Sequence, residues 1–292
     1  MNLPRISCTR INGLLVRLIR GKSCRRPQHV GQDFPRGVLG YARVPFREFP
    51  SMSVRSKYLR LFGAVAVHIL TATGGVLGLF SLLSASDGLW ANAFAWLGAA
   101  LIVDGVDGPL ARIVDVKRVL PRFSGEELDH LVDYITYVTA PAFMVARAEI
   151  VPVSLRMPLA AIIMLVSLYH FSDTESKTAD GYFVGFPAIW NVVVLYCFVL
   201  DLPPDVSAWI IAICAVFTFI PLYWVHPMRV RRLRPLTFTV VSAWGAAAVS
   251  AILRGFPGTP AAKIIFAIAA IYIIGIGLSA RTGGVRRFHP VK

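Results

Sequence analysis

Charge is scarce in this chain. Only 16% of its 292 residues are Asp, Glu, Lys or Arg, whereas 56% are hydrophobic. A soluble domain of this length carries more charge on its surface. Acidic residues are rarer still, 16 against 30 Lys and Arg. The four cysteines, Cys8, Cys24, Cys197 and Cys214, have no metal-ligand spacing and imply no disulfide framework. Residues 1–50 contain no continuous apolar core long enough for a cleavable signal peptide. No internal repeat is visible, and no Ser–His or Cys–His pattern points to a covalent intermediate.

What the chain does have is long apolar blocks, at roughly 62–83, 89–112, 127–147, 157–172, 185–201, 206–225, 236–253 and 261–280. Runs of about 20 apolar residues cross a bilayer as helices. The expected architecture is therefore all-α and integral to the membrane, a polytopic bundle of about eight transmembrane helices. In residues 54–62, Val54, Tyr58, Leu61 and Phe62 share one helical face, with Arg55 and Arg60 elsewhere. That pattern predicts a juxtamembrane amphipathic helix before the first span, or else a simple extension of that span.

Net charge is +14, of which residues 1–50 contribute +8. In a polytopic membrane protein such an excess marks the cytoplasmic face and not a nucleic-acid partner. Lys117, Arg118 and Arg122 follow the second block, Arg229, Arg231, Arg232 and Arg234 follow the sixth, and Arg281, Arg286, Arg287 and Lys292 close the chain. The alternate loops carry Asp87, Asp201 and Asp205. Eight spans with both termini on the cytoplasmic side fit this alternation, although Arg147, Arg156, Arg254 and Lys263 fall on the outer side. Residues 1–51 read as a basic, flexible tail able to lie on anionic headgroups, and 52–292 as one membrane domain. Met52 stands at the compositional break as an alternative start.

The chemistry concentrates where the second block ends and the third begins. Asp104, Asp107, Gly108 and Ala111 recur at i, i+3, i+4 and i+7, which places them on one helical face. Gly125, Asp129 and Asp133 recur every fourth residue and do the same. Consecutive helices joined by a short loop are antiparallel neighbours, so four carboxylates can converge just inside the membrane. Ionised groups there need partners. Two divalent cations would balance four carboxylates, and ligation by oxygen alone favours Mg2+ or Mn2+ over Zn2+. His130 points about 100° away from Asp129 and is not counted as a ligand. Gly108, Ala111 and Gly125 leave room for a ligand, or alternatively for close helix packing. Arg112 pairs with a phosphate or an aspartate, or snorkels to the interface. Pro109 is expected to loosen the helix beside the site.

The segments DGVDGPLAR and GEELDHLVD resemble the signature of the CDP-alcohol phosphatidyltransferase family, D-x-x-D-G-x-x-A-R … G-x-x-x-D-x-x-x-D. All eight specified positions are present: Asp104, Asp107, Gly108, Ala111, Arg112, Gly125, Asp129 and Asp133. Twelve residues separate Arg112 from Gly125, a longer gap than in most members. That gap, with the stretches VLPRFSGEELDHLVDYITYV, SDTESKTADGYFVGFPAIWN and HPMRVRRLRPLT, is similar to the bacterial branch of the family whose acceptor is choline.

The resemblance implies an integral inner-membrane enzyme that takes CDP-diacylglycerol and choline as substrates and releases CMP. It implies two bound metals on Asp104, Asp107, Asp129 and Asp133, with Asp133 also the catalytic base, and Gly108, Ala111, Arg112 and Gly125 at the substrate. It implies a homodimer as well. A choline site would use aromatic faces; Tyr134, Tyr137, Tyr169, Tyr182, Phe186 and Trp190 are candidates, and Asp173, Glu175 and Asp180 form an acidic loop nearby. Two other readings stay open. One is a sibling enzyme whose acceptor is inositol phosphate, glycerol phosphate or serine. The other is a divalent-cation transporter, which would be expected to show broken helices at the midplane in repeated halves.

Overall fold

The computed structural model describes residues 54–173, 183–220, 223–224 and 234–282, within the compact unit Ser51–Lys292. The basic tail, Glu175, Asp180, Tyr182 and the arginines at 229, 231 and 232 lie outside the described residues. The elements in chain order are α1 (Val54–Ser86), α2 (Trp90–Val114), α3 (Val116–Val119), α4 (Gly125–Asp133), a π-helical turn (Tyr134–Thr139), α5 (Ala140–Arg147), a 3-10 turn (Val153–Leu155), α6 (Arg156–Ser172), β1 (Phe183–Val184), α7 (Trp190–Leu200), α8 (Pro204–Phe217), β2 (Tyr223–Trp224), α9 (Arg234–Arg254) and α10 (Pro260–Thr282).

Each apolar block contains a helix, with three differences from expectation. Residues 54–62 are not a separate helix but the first turns of the 33-residue α1. The fifth and sixth blocks are helical only over α7 and α8, about 16 and 21 Å long at 1.5 Å per residue, short of the roughly 30 Å hydrocarbon core. Before α7 the chain runs in non-helical backbone from Gly185 to Ile189, and β1 pairs antiparallel with β2. This small ladder had no alternating signal in the sequence. Gly185 makes the loop possible. Its φ is +80°, and a Cβ there would lie 2.5 Å from the Thr218 carbonyl oxygen at the end of α8.

Among the described residues three helices are long and apolar enough to cross a membrane, Tyr58–Ser86, Val153–Ser172 and Pro235–Arg254; Trp190–Leu200, Pro204–Phe217 and Pro260–Ile276 are shorter apolar helices. Large apolar side chains face outward, among them Ile113, Leu165 and Leu253, as befits a molecule whose solvent is lipid. In α1, Ala64, Val67, Thr71, Gly74, Gly78, Ser81 and Ala85 are buried at alternating spacings of three and four, while Phe62, Ile69, Val76 and Leu83 recur every seventh residue outside. Size, not polarity, separates the faces: small residues permit close approach and large ones fill the lipid side.

That small-residue seam packs along α2 and against α4. A Cβ on Gly74 would stand 2.6 Å from Cγ1 of Val132, and one on Gly78 would stand 2.6 Å from Cγ2 of Ile135. The main core lies between the first half of α2 and the later helices, around Phe94, Met144, Ile163, Trp190, Ile211 and Phe266. Its largest fully buried side chain, Trp190, donates from Nε1 to Ser167 Oγ at 2.7 Å, and Ser167 donates to the Ile163 carbonyl at 2.7 Å. The indole N–H is thereby satisfied away from water.

Because Val132 and Ile135 are β-branched and stiff, neither can swing aside for a methyl group. Gly78→Ala and Gly74→Ala are expected to destabilise the protein by about 1–3 kcal/mol, as overpacking does, read as thermal unfolding in detergent. Gly98→Ala and Gly245→Ala, where a Cβ meets nothing within 4 Å, serve as controls and are expected to unfold at or slightly above the wild-type temperature, since alanine favours the helix. The steric account predicts that adding Val132→Ala restores Gly74→Ala.

Candidate active site and carboxylate cluster

The helix beginning at Gly125 starts where Ser124 caps it, its Oγ accepting from the Glu127 N–H at 3.2 Å. Asp129 and Asp133 follow one turn apart. Asp104 comes from the second half of α2, which continues through Pro109 to Val114. Asp104, Asp129 and Asp133 are half-buried, and each offers a carboxylate oxygen within 4.8 Å of the others. Three ionised groups at that spacing repel by on the order of 3 kcal/mol per pair at an effective dielectric of about 20. An all-oxygen cluster of this kind suits a hard divalent cation, which turns repulsion into ligation.

Asp107 falls outside this group of three. It is 5% exposed, and its Oδ2 accepts a 2.6 Å hydrogen bond from Thr71 Oγ1 on α1. The offset follows from helix geometry, since three residues at 100° each leave Asp107 about 60° round from Asp104, toward α1. Asp104 has a hydroxyl partner of its own: Tyr137 donates from its phenol to Asp104 Oδ2 at 2.8 Å.

Tyr137 belongs to the π-helical turn directly after Asp133. Turns of this kind recur at functional sites. Here the wider turn advances less than 100° per residue, so positions 129, 133 and 137 stay on one face instead of drifting round the helix. Thr139 supports the turn, its Oγ1 donating to the carbonyl of Tyr134 five residues back at 3.1 Å. Nothing in the hydropathy pattern signals this turn. The small-residue seam of α1, with Thr71 in it, had a sequence signal in its three- and four-residue spacing.

The remaining site candidates separate clearly. Gly108 is open: a Cβ there would meet only Nη1 of Arg112, at 3.8 Å. The exposed Arg112 therefore arches back over Gly108, as helical side chains lean toward the N-terminus. Ala111 is partly buried beside it. Gly125 differs from expectation, because the space it leaves is filled by protein: a Cβ would lie 3.1 Å from Cε1 of His68. His130 sits against the Phe171 ring, 6.0 Å between centroids, outside the carboxylate group.

Of the aromatic candidates, Tyr137 reaches the cluster. Tyr134 donates to the Met164 carbonyl at 3.1 Å and packs on Phe171. Tyr169 stacks on Phe219, and Phe186 is buried against Trp190. Tyr169, Phe186 and Trp190 are packing residues on these contacts.

A family profile described as CDP-alcohol phosphatidyltransferase matches residues 64–277. The chain belongs to the CDP-alcohol phosphatidyltransferase family. The match runs from the seam of α1 to α10 and includes both aspartate segments. Among curated relatives of this CDP-alcohol phosphatidyltransferase, the phosphatidylcholine synthase of Agrobacterium fabrum is 38% identical over 87% of this chain and 97% of its own length. That of Mesorhizobium japonicum is 41% identical over 78% of this chain and 87% of its own. That of Pseudomonas aeruginosa is 39% identical over 74% and 90%.

Removing the phenol in Tyr137→Phe is expected to weaken Mn2+ binding about tenfold, the effect of losing one hydrogen-bond partner of a carboxylate that would ligate the metal. Titration of Mn2+ by electron paramagnetic resonance reads this without turnover. Thr71→Val is expected to weaken binding less, since Asp107 lies outside the close group. A larger loss from Thr71→Val than from Tyr137→Phe would reverse the assigned order.

Proposed function

We propose that this protein transfers the phosphatidyl group of CDP-diacylglycerol to choline and releases CMP, making phosphatidylcholine by direct displacement. The observation that carries the reading is the half-buried group of Asp104, Asp129 and Asp133 inside the family signature. The relatives' name, phosphatidylcholine synthase, supports choline over a phosphorylated acceptor or serine. Membership of a transferase family removes the cation-transporter alternative.

Asp104, Asp107, Asp129 and Asp133 would hold two divalent ions, Mn2+ or Mg2+, which when bound neutralise the pyrophosphate and favour departure of CMP. The chain's own residues do the rest. Asp133 takes the proton of the acceptor hydroxyl. The hydroxyl oxygen bonds to the lipid-proximal phosphorus as the phosphorus–oxygen bond to CMP breaks. Gly108 and Ala111 leave the trough in which the nucleotide lies, and the Arg112 guanidinium above Gly108 meets a phosphate. The sequence signature also assigns Gly125 to the substrate, and its contact with His68 makes that role one of helix placement. Among the described aromatic choline candidates, Tyr137 bonds a carboxylate of the cluster directly, and its ring is the one best placed to meet a choline cation.

The membrane reading completes the proposal. The enzyme sits in the inner membrane with residues 52–292 as its domain and residues 1–51 as a basic tail on the lipid surface. The apolar blocks make eight crossings, two of them short, and both termini and the carboxylates face the cytoplasm. Family resemblance is the ground for a homodimer.

The experiment supplies membranes containing the protein with CDP-diacylglycerol, labelled choline and Mn2+, and follows label into lipid. Chelation is expected to abolish incorporation. Asp133→Asn is expected to lower kcat by about 10^3, in the range for loss of a general base. Full activity in that variant would remove Asp133 from the chemistry. Incorporation of another alcohol in place of choline would move the enzyme to a sibling specificity.

A further inference from the structure

A cavity of about 750 Å3 opens at the end of the bundle away from the carboxylates. Its walls include Trp90 at the start of α2, Arg147 and Glu149 at the end of α5 and beyond, Phe198 and Asp201 at the end of α7, and Phe256 between α9 and α10. Trp90 and Asp104 share α2 and stand about 21 Å apart along its axis. On the membrane-spanning reading, the cavity therefore lies toward the opposite face from the transfer site.

Its lining mixes three kinds of group. Trp90 and Phe256 both pack on Phe198, with ring centroids 5.5 and 5.2 Å apart, and form an aromatic wall. Glu149 and Asp201 bring carboxylates, and Arg147 brings a guanidinium. Two of these charges are unpaired within the described protein. Among the described residues neither Arg147 nor Glu149 has a salt-bridge partner, and Asp201 reaches Lys263 only at 3.9 Å.

A cavity at the polar boundary of a membrane meets lipid headgroups. An anionic headgroup would face the unpaired Glu149 and leave it unanswered, and a bare cation would leave Arg147 unanswered. A zwitterion satisfies both, its phosphate on Arg147 and its ammonium between the carboxylates and the aromatic wall. The aromatic faces favour a quaternary over a primary ammonium, because the quaternary group has no N–H that needs acceptors. We propose that this cavity binds the phosphocholine headgroup of a zwitterionic phospholipid, as a second lipid site across the bundle from the carboxylates. The proposal rests on the chain spanning the membrane and not on which alcohol the aspartate site uses.

Native mass spectrometry of the delipidated full-length protein tests it, with phosphatidylcholine, phosphatidylethanolamine, phosphatidylglycerol and soluble phosphocholine added separately. Wild type is compared with Glu149→Gln/Asp201→Asn and with Trp90→Leu. Lipid at the transfer site contributes equally to all three proteins, and the transfer assay verifies folding because no substituted residue touches the carboxylate cluster. Wild type is expected to retain one more phosphatidylcholine than either variant, with about fivefold or greater preference over phosphatidylethanolamine, the scale of a cation–π contact. Phosphatidylglycerol retention is expected to be unchanged. Equal phosphatidylcholine retention in wild type and the charge variant overturns the proposal, as does a loss confined to phosphatidylglycerol. Binding of soluble phosphocholine with no retained lipid overturns the assignment to a lipid. Should Trp90→Leu fail to fold, the charge variant decides alone.

Discussion

Three carboxylates within 4.8 Å of one another are not held together by their own attraction. The protein scaffold has to impose that proximity, and the imposed step is the close approach of α1 to α4. Gly74 and Gly78 meet Val132 and Ile135 with no space for a methyl group between them. The helix that carries Asp129 and Asp133 is thus pressed against a partner that also packs along α2, the helix carrying Asp104. In lipid, where apolar burial drives little helix association, such backbone-to-side-chain contact is the available source of cohesion. The site therefore depends on residues that have no chemistry of their own.

Hydroxyl groups then set the individual carboxylates. Thr71 from α1 holds Asp107, and Tyr137 from the π-helical turn holds Asp104. The two aspartates of one helix are oriented by different neighbours, which is why one joins the close group and the other is turned toward α1. Each bond fixes one carboxylate oxygen, Oδ2 in both cases, an arrangement suited to ligands that must not rotate freely. The π-helical turn follows directly after Asp133 and keeps Tyr137 over the cluster.

The same helices present different chemistry at their two ends. The α2 helix begins at Trp90 in an aromatic cavity and ends among aspartates and Arg112. Between these ends the bundle is filled by small residues on one side of α1 and by an aromatic and aliphatic core elsewhere. The short α7 follows irregular backbone at Gly185–Ile189, which meets the end of α8, where only a glycine at 185 tolerates the contact with Thr218. Irregular backbone of this kind is tolerated in a membrane protein where other protein covers it.

By itself, the sequence determined the helical membrane class, the approximate place of the long apolar helices, and the aspartate pattern of the family signature. The reasons are local: apolar runs follow from bilayer thickness, and aspartates at i, i+3 and i+4 share a face whatever surrounds them. It could not separate Asp107 from the close group, assign the space beside Gly125 to His68, reveal the π-helical turn, or shorten the fifth and sixth helices. Each of those depends on which side chain of a distant segment arrives at a given point. Helical periodicity defines a face, but the neighbour that face meets, and the hydroxyl or ring it finds there, is decided only when the helices pack.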